Sequence, residues 1–349
     1  MHGPTPDSPP TTPADLTAAL YDAGTLRQGA IVKVTVAKQI KTEISNLWFL
    51  EVVYSAGSSP TLPERLLLKW ALKESAAPER GDPEVVFYRE LAPSLPSPPI
   101  VKCLATAPPT SKERWLIIED LRSSHMNPPW PERPSDKLVH NAVATLAQVH
   151  AHWWDAPTLG STIGLLHTET ALRTMVAGFR DLLPGFVDDL GEDLPLSDRL
   201  VLEKVFNSSL RPWLRLLDQR ALTVIHGDAH TWNFLFPRSG EGKTYLIDWQ
   251  LWHLDVGARD LAFMIALHWD RTARQQLELP LLHFYHEELI SAGIRSYSFA
   301  DLLLDYRRCL VRNLTFPIIF WSRGQRREAW RNRLDCALAA YRDHDCAEL

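Results

Sequence analysis

The chain has 349 residues, 45% of them hydrophobic, enough to bury a sizeable core and long enough for two domains or lobes. With 37 Lys and Arg against 42 Asp and Glu, the formal charge of −5 leaves no electrostatic footprint for a nucleic-acid backbone. Four scattered cysteines without CxxC spacing indicate neither a zinc site nor a disulfide framework, and no segment reaches roughly 18 uncharged apolar residues, so the expectation is a cytoplasmic protein with no membrane span.

The opening stretch, MHGPTPDSPPTTP, is Pro-rich and lacks the apolar core of a signal peptide, so residues 1–14 are expected to form a disordered tail. A short helix follows over 15–23, and then the period changes. AIVKVTVAK (30–38), LWFLEVVYS (47–55) and RLLLKWAL (65–72) read as three strands of an antiparallel meander. The turn between the first two, KQIKTEISN (38–46), contains no glycine. In GDPEVVFYREL, Asp82 is placed to cap a helix and Pro83 to occupy its first position, with Phe87, Tyr88 and Leu91 forming an apolar stripe. Helical spacing puts Glu84 on that stripe. A buried carboxylate needs a cation, and Lys69, embedded among Leu66, Leu67, Leu68, Trp70 and Ala71, is the candidate partner. Glu90 and Lys73 are the alternatives for the two positions.

Beyond the Pro-rich stretch 92–109, RWLIIEDL (114–121) reads as a buried strand ending in two acids, followed by the loop RSSHMNPPWPERP. Helical periodicity then takes over. Val139, Val143, Leu146, His150 and Trp153 share one face, and further amphipathic stretches lie around 169–191, 197–218, 258–269, 272–292 and 300–321. Trp153, Trp154, Trp249, Trp252 and Trp321 read mostly as core. The acidic run DDLGEDLPLSD (188–198) reads as a solvated loop or as an attractor for a cationic acceptor, and RGQRREAWRNR near the C-terminus as a solvated helix face. The fold class is α+β: a small antiparallel-sheet lobe over 15–118 with one key helix, a hinge at 119–122, and a larger, mostly helical lobe over 123–349.

The chemistry concentrates in HGDAHTWNFLF (226–236), which sets Asp228, His230 and Asn233 on a stretch bounded by apolar residues, where polar groups are costly unless something occupies them. Twenty residues after Asp228, YLIDWQ delivers Asp248, with the turn PRSGEGK between. Two carboxylates and an amide oxygen are hard ligands of the kind Mg²⁺ takes when substrate phosphates complete its shell. A lysine held by a glutamate would grip those phosphates. Together these groups make a phosphoryl-transfer template, in which positioning and charge neutralisation carry the catalysis. Two rivals start from the same letters. His226, Asp228 and His230 could belong to a metal-dependent hydrolase, but no second His/Asp motif accompanies them. A non-catalytic nucleotide-binding pseudokinase scaffold is opposed by the intact Asp, Asn, Asp set. In either case His226 and His230 read first as structural histidines.

HGDAHTWN followed by IDW resembles the kinase-like aminoglycoside phosphotransferase superfamily. EVVFYREL, LIIEDL, LAQVHAHWW and DVGARDLAF resemble its choline-kinase-like and ecdysteroid-kinase-like branch, over about residues 24–320. The resemblance implies a bilobal protein-kinase-like fold and an ATP- and Mg²⁺-dependent enzyme that phosphorylates a hydroxyl of a small molecule, with choline-like, steroid-like and aminoglycoside-like alcohols as candidates. It implies that Asp228 accepts or orients the substrate hydroxyl and that Asn233 and Asp248 hold Mg²⁺. It further implies that Lys69, fixed by Glu84, contacts the α and β phosphates, and that the backbone of Glu119, Asp120 and Leu121 receives adenine. Asp260, in GARDLA, would be a structural carboxylate bonding the catalytic loop. The chain departs from protein kinases in lacking a GxGxxG loop, where Lys41, Thr42 and Ser45 are either phosphate contacts or plain turn residues. NLTFPIIFW (313–321) suits an apolar alcohol or a quaternary ammonium equally.

Overall fold

The computed structural model describes residues 9–42, 44–72, 81–95, 99–109, 113–208 and 210–349. Backbone contacts divide the chain into two compact units, Met1–Asn127 with Leu235–Leu251, and Pro128–Phe234 with Trp252–Leu349.

The first unit begins with α1 (Pro13–Asp22), whose N-terminus is closed by the Thr12 hydroxyl and started by Pro13, two residues earlier than the expected helix. Of the expected tail, residues 1–8 lie outside the described residues. Next come β1 (Ile31–Lys41), β2 (Ser45–Tyr54) and β3 (Arg65–Ala71), then the single turn α2 (Pro83–Val86), β4 (Cys103–Thr106), β5 (Trp115–Glu119) and the short β6 (His125–Met126). An antiparallel sheet runs in the order β1-β2-β3-β5-β4. Leu16 and Leu20 of α1 pack with Leu50, Val52, Leu66, Leu68 and Ile117 of the sheet. Each such side chain, fully buried, stabilises the unit by roughly 1.5–3 kcal/mol.

Three local readings change. Of the turn expected over 38–46, Lys38–Lys41 belong to β1 and Ser45–Asn46 to β2. Part of the stretch 92–109 forms β4, the sheet's outer strand, and β6 lies inside the expected loop after residue 121. α2 does not run on as one regular helix: it widens into a π turn over Phe87–Leu91, which still buries Glu84, Phe87, Tyr88 and Leu91 as the stripe requires.

The second unit opens with α3 (Asp136–Trp153), α4 (Glu169–Leu190), α5 (Leu196–Ser208), α6 (Arg211–Leu214) and β7 (Leu222–Ile225). The chain then passes through β8 (Phe234–Pro237) and β9 (Tyr245–Leu246), where Phe236 and Pro237 pair with β6 in the first unit. It re-enters the second unit with β10 (His253–Val256), paired antiparallel to β7, and ends in α7 (Ala258–Ala266), α8 (Arg271–Ser291), α9 (Phe299–Asn313), α10 (Thr315–Ser322) and α11 (Arg327–Asp343). Two expected helices are divided. Pro212 and Pro317 lack an N–H and crowd the carbonyl four residues back, and the preceding helices end there, at Ser208 and Asn313. Pro184 and Pro280 are nevertheless accommodated inside α4 and α8, and nothing in the sequence separates the two outcomes. The basic stretch near the C-terminus is not simply a solvated face: it opens α11, which buries Trp330, Leu334, Leu338 and Tyr341. Among the described residues no helix is long and apolar enough to cross a membrane.

Candidate active site

In the first unit a lysine organises the site. Lys69 lies on β3 with its side chain 11% exposed, and its Nζ is 2.6 Å from Glu84 Oε2 and 2.7 Å from Asp248 Oδ1. Glu84 is fixed because Asp82 caps α2, accepting from the backbone N–H of Glu84 and Val85 at 3.0 and 3.2 Å. Its other oxygen, Oε1, accepts from the N–H of Trp249 at 3.3 Å. Glu90, the alternative, pairs with Arg89 at the surface, and Lys73 lies outside the described residues.

Asp248 reaches this cluster on a strained backbone. Its φ of 68° is left-handed, a conformation that costs a non-glycine residue on the order of 1 kcal/mol or more. What holds it there is Trp249, whose ring stacks on Phe87 with centroids 3.8 Å apart and planes 6° from parallel. The Asp248 side chain is 37% exposed, against 4% for Glu84. Burial pushes the Lys69 amine toward neutrality, but Glu84 and Asp248 outweigh it and hold its pKa above the ordinary value. Burial raises Glu84, Lys69 opposes that, and the neighbouring Asp248 carboxylate adds to it, so Glu84 carries the electrostatic strain of the cluster.

Further along the same sheet, Lys69 stands opposite Leu116 of β5 and Leu66 opposite Glu119, which puts Glu119 roughly 10 Å along β5 from the lysine's register. The N–H groups of Glu119 and Asp120 donate to Lys102 O and Arg65 O, at 3.0 and 3.1 Å. The Asp120 carboxylate is gripped from both sides by Arg122. Leu121 N–H, by contrast, makes no hydrogen bond among the described residues. At the glycine-free turn, Thr42 Oγ1 accepts from Ser45 N–H at 2.9 Å and Ser45 is buried, so a threonine closes the turn and Lys41 is left as its exposed cation.

In the second unit the segment after β7 is held by one buried carboxylate. Asp260 accepts from His226 N–H at 2.7 Å, from Gly227 N–H at 2.9 Å and lies 3.2 Å from His150 Nε2. His150 Nδ1 in turn contacts Tyr285 Oη at 2.8 Å. The close packing needs Gly257, where a Cβ would come within 2.2 Å of Tyr285 Oη and 2.8 Å of His150 Nδ1. Burial alone would raise Asp260, but the His150 imidazole and the His226 amide prevail and hold it below the usual carboxylate value. His150 and Tyr285 escaped the sequence reading as site residues. The available signal was a histidine on the apolar face of α3.

The anchored loop presents Asp228, 32% exposed, beside Asn233. Asn233 Nδ2 donates to Asp228 O at 2.9 Å and to Asp228 Oδ2 at 3.3 Å, while Asn233 N–H bonds His230 O at 2.9 Å in a tight turn. Asn233 Oδ1 accepts no hydrogen bond among the described residues, so a hard-oxygen ligand is left over. His226 is fully buried, and its Nδ1 accepts from Asp228 N–H at 3.3 Å, which makes it a loop-shaping residue. Among the described residues no group of three or more His, Cys, Asp or Glu is placed to hold a metal, the arrangement a His/Asp hydrolase needs.

Comparison with known proteins follows the same lines. Residues 52–303 match the family model described as the phosphotransferase enzyme family. No curated protein matches the sequence. Among solved structures, the chain is similar to a candidate aminoglycoside phosphotransferase from Ralstonia eutropha, with a TM-score of 0.57 at 14% identity over 90% of this chain and 93% of that one. It is similar to a choline kinase from Cryptosporidium parvum, with a TM-score of 0.56 at 12% identity over 89% of each chain. It is also similar to LicA, a choline kinase from Streptococcus pneumoniae, in complex with AMP, with a TM-score of 0.50 at 14% identity over 94% and 97%. At these identities the likeness is one of fold.

Proposed function

Given that the chain belongs to the phosphotransferase enzyme family, we propose that it transfers the γ-phosphoryl group of ATP to a hydroxyl of a small molecule. The observation that carries this reading is the buried Lys69 shared by Glu84 and the partly exposed Asp248. A cation with one buried partner and one at the surface keeps its position through Glu84 and has a face to offer to an anion. Lys69 is assigned to the α and β phosphates and Glu84 to its orientation. The free N–H of Leu121, within the segment Glu119 to Leu121, is assigned to adenine.

Asp228 is assigned to the acceptor. Its carboxylate takes the hydroxyl proton as the acceptor oxygen bonds to the γ-phosphorus and the bond to the β-phosphate oxygen breaks, releasing ADP. Asn233 holds that carboxylate through Nδ2. On the motif resemblance Asn233 and Asp248 are assigned to Mg²⁺, each offering a hard oxygen within its own unit, and the ion, when bound, would neutralise charge on the phosphate oxygens. Motif similarity suggests the ecdysteroid-kinase-like branch, and we place the activity in the cytoplasm, where the chain's cysteines stay reduced. Choline-like, steroid-like and aminoglycoside-like alcohols are the acceptor classes that the motif resemblance suggests.

The test is ADP formation by the purified protein with Mg²⁺-ATP and a panel of small alcohols. Asp228→Asn is expected to lower kcat by about 10²–10⁴-fold while the protein keeps its thermal shift with Mg²⁺-ATP. Near-native turnover in that variant would remove Asp228 from the reaction. A native protein with no shift on Mg²⁺-ATP would turn the reading toward a scaffold.

A further inference from the structure

The acidic run at 188–198 is largely exposed, with the Asp193 side chain 74% accessible, and it is faced by the arginines of α11. Arg327 donates to Asp189 O at 3.0 Å and Asp193 Oδ2 at 2.8 Å, Arg331 donates to Asp193 O at 2.9 Å, and Arg342 pairs with Asp198. Three of the four arginines of α11 therefore answer an acidic segment whose charge the sequence left unassigned. The fourth, Arg333, is different. It donates to Ala329 O of its own helix, its Nε is buried without a partner, and no carboxylate pairs with it among the described residues. Its guanidinium carbon lies 4.9 Å from the centroid of Phe320.

From Phe320 a run of rings leads to Asp228. Phe320 and Phe316 lie 6.2 Å apart on one face of α10, Phe316 and Phe263 4.9 Å, Phe263 and His268 4.8 Å, and His268 and His230 5.5 Å. His230 Nε2 is 3.7 Å from Asp228 Oδ2. Phe316 and Phe320 are partly exposed, as is Trp232 beside His230. Asp228 is the carboxylate that acts on Arg333 from a distance, opposing the burial that lowers its pKa. This aromatic surface thus carries a fixed positive charge at Arg333, at the end away from the Asp228 carboxylate. A choline-like or aminoglycoside-like acceptor laid along it would meet a like charge already partly desolvated, whereas a carboxylate would find a guanidinium with unused donors and planar geometry to match.

Resting on the assignment of Asp228 as the residue that receives the hydroxyl proton, we propose that the acceptor is an alcohol with an apolar body packed on Phe316 and Phe320 and a carboxylate paired with Arg333. Arg333 lies on α11, beyond the residues 52–303 that match the family model.

The probes are hydroxymethyl-substituted benzoic, naphthoic and biphenyl carboxylic acids, each compared with its methyl ester and with the amine that replaces the acid. Calorimetry on the full chain without nucleotide is expected to show at least one acid binding about tenfold or more tightly than its ester and amine, an advantage mostly lost in Arg333→Met and partly kept in Arg333→Lys. Equal binding within every set, tighter binding of the amines, no binding of any acid, or a preference untouched by Arg333→Met would each overturn the proposal. The preference is read first on the native protein, so it does not depend on the variant folding. Addition of Mg²⁺-ATP separates the two assignments. An acid that binds through Arg333 yet yields no ADP leaves the recognition standing and removes phosphotransfer, and ADP formation on the amines alone does the reverse.

Discussion

Lys69 in the first unit and Asp260 in the second are both buried charges that hold a functional segment, and they do so by different means. Lys69 binds side chain to side chain, bridging Glu84 and Asp248, and one of its partners is more than a third exposed. Asp260 binds side chain to backbone, taking two consecutive N–H groups of the loop that carries Asp228. A backbone anchor fixes where the loop runs, whatever occupies it. An ion-pair anchor fixes a charge whose second partner can be exchanged for a ligand's, which is what a group assigned to phosphate must allow.

The largest effect should come from removing the lysine. Lys69→Met leaves Glu84 buried without its cation, and loss of one partner of a buried pair costs about 3–5 kcal/mol. The sign of its pH dependence follows from burial: without Lys69 the folded-state pKa of Glu84 rises further above its unfolded value, so ionising it becomes less favourable and the loss should grow as pH increases from 5 to 8, read by urea denaturation at both ends. Adding Glu84→Gln should recover much of it. A variant that is destabilised equally at both pH values, or not rescued, would show that the lysine's contribution is packing and not charge.

Asp260→Asn is the matching change in the second unit. It keeps shape but turns one accepting oxygen into an NH2 donor, so one of the two loop amides loses its acceptor and the other keeps only a neutral one, where a bond to an ionised acceptor is worth about 1.5–3 kcal/mol. The expected outcome is a smaller loss of stability than for Lys69→Met, with faster amide exchange at His226 and Gly227 and a fall in kcat larger than any change in the KM for ATP. Unchanged exchange at those two amides would mean that β7 and β10 alone set the loop.

The smallest effect is a slope. Burial, reinforced by Arg333 and His230, pushes the His268 imidazole down to about 3 from the ordinary 6.5. In the unfolded chain that ring takes a proton below about pH 6.5, and in the folded protein it does not, so stability should fall as pH drops from 6.5 toward 3, by at most about 1.4 kcal/mol per pH unit for one proton. His268→Phe should flatten that part of the curve; an identical slope in the variant would assign it to other groups.

Much of this was legible in the chain itself. A lysine inside an apolar strand and a glutamate on an apolar helix stripe each announce the need for a partner, because an unpaired buried charge is too costly to persist. Alternation and helical spacing likewise marked the strands and most helices. Where the reading slipped, the cause was local ambiguity or long range. β4 hides in a Pro-rich stretch too short to show a period, and the pairing of the acidic run 188–198 with the basic start of α11 went unread because the two segments lie far apart in the chain.

The sequence by itself determined which residues could not stand alone: Lys69, Glu84, the Asp228–Asn233 loop and Asp260, all polar groups set in apolar surroundings. Only the tertiary structure decided whom they meet. It brings Asp248 back to Lys69 across 179 residues of chain, His150 to Asp260 across 110, and Arg327 to Asp193 across 134. Local pattern records the cost of burying a group, which depends on its immediate neighbours. The partner that offsets that cost is chosen by how helices and strands pack, and that is a property of the whole chain.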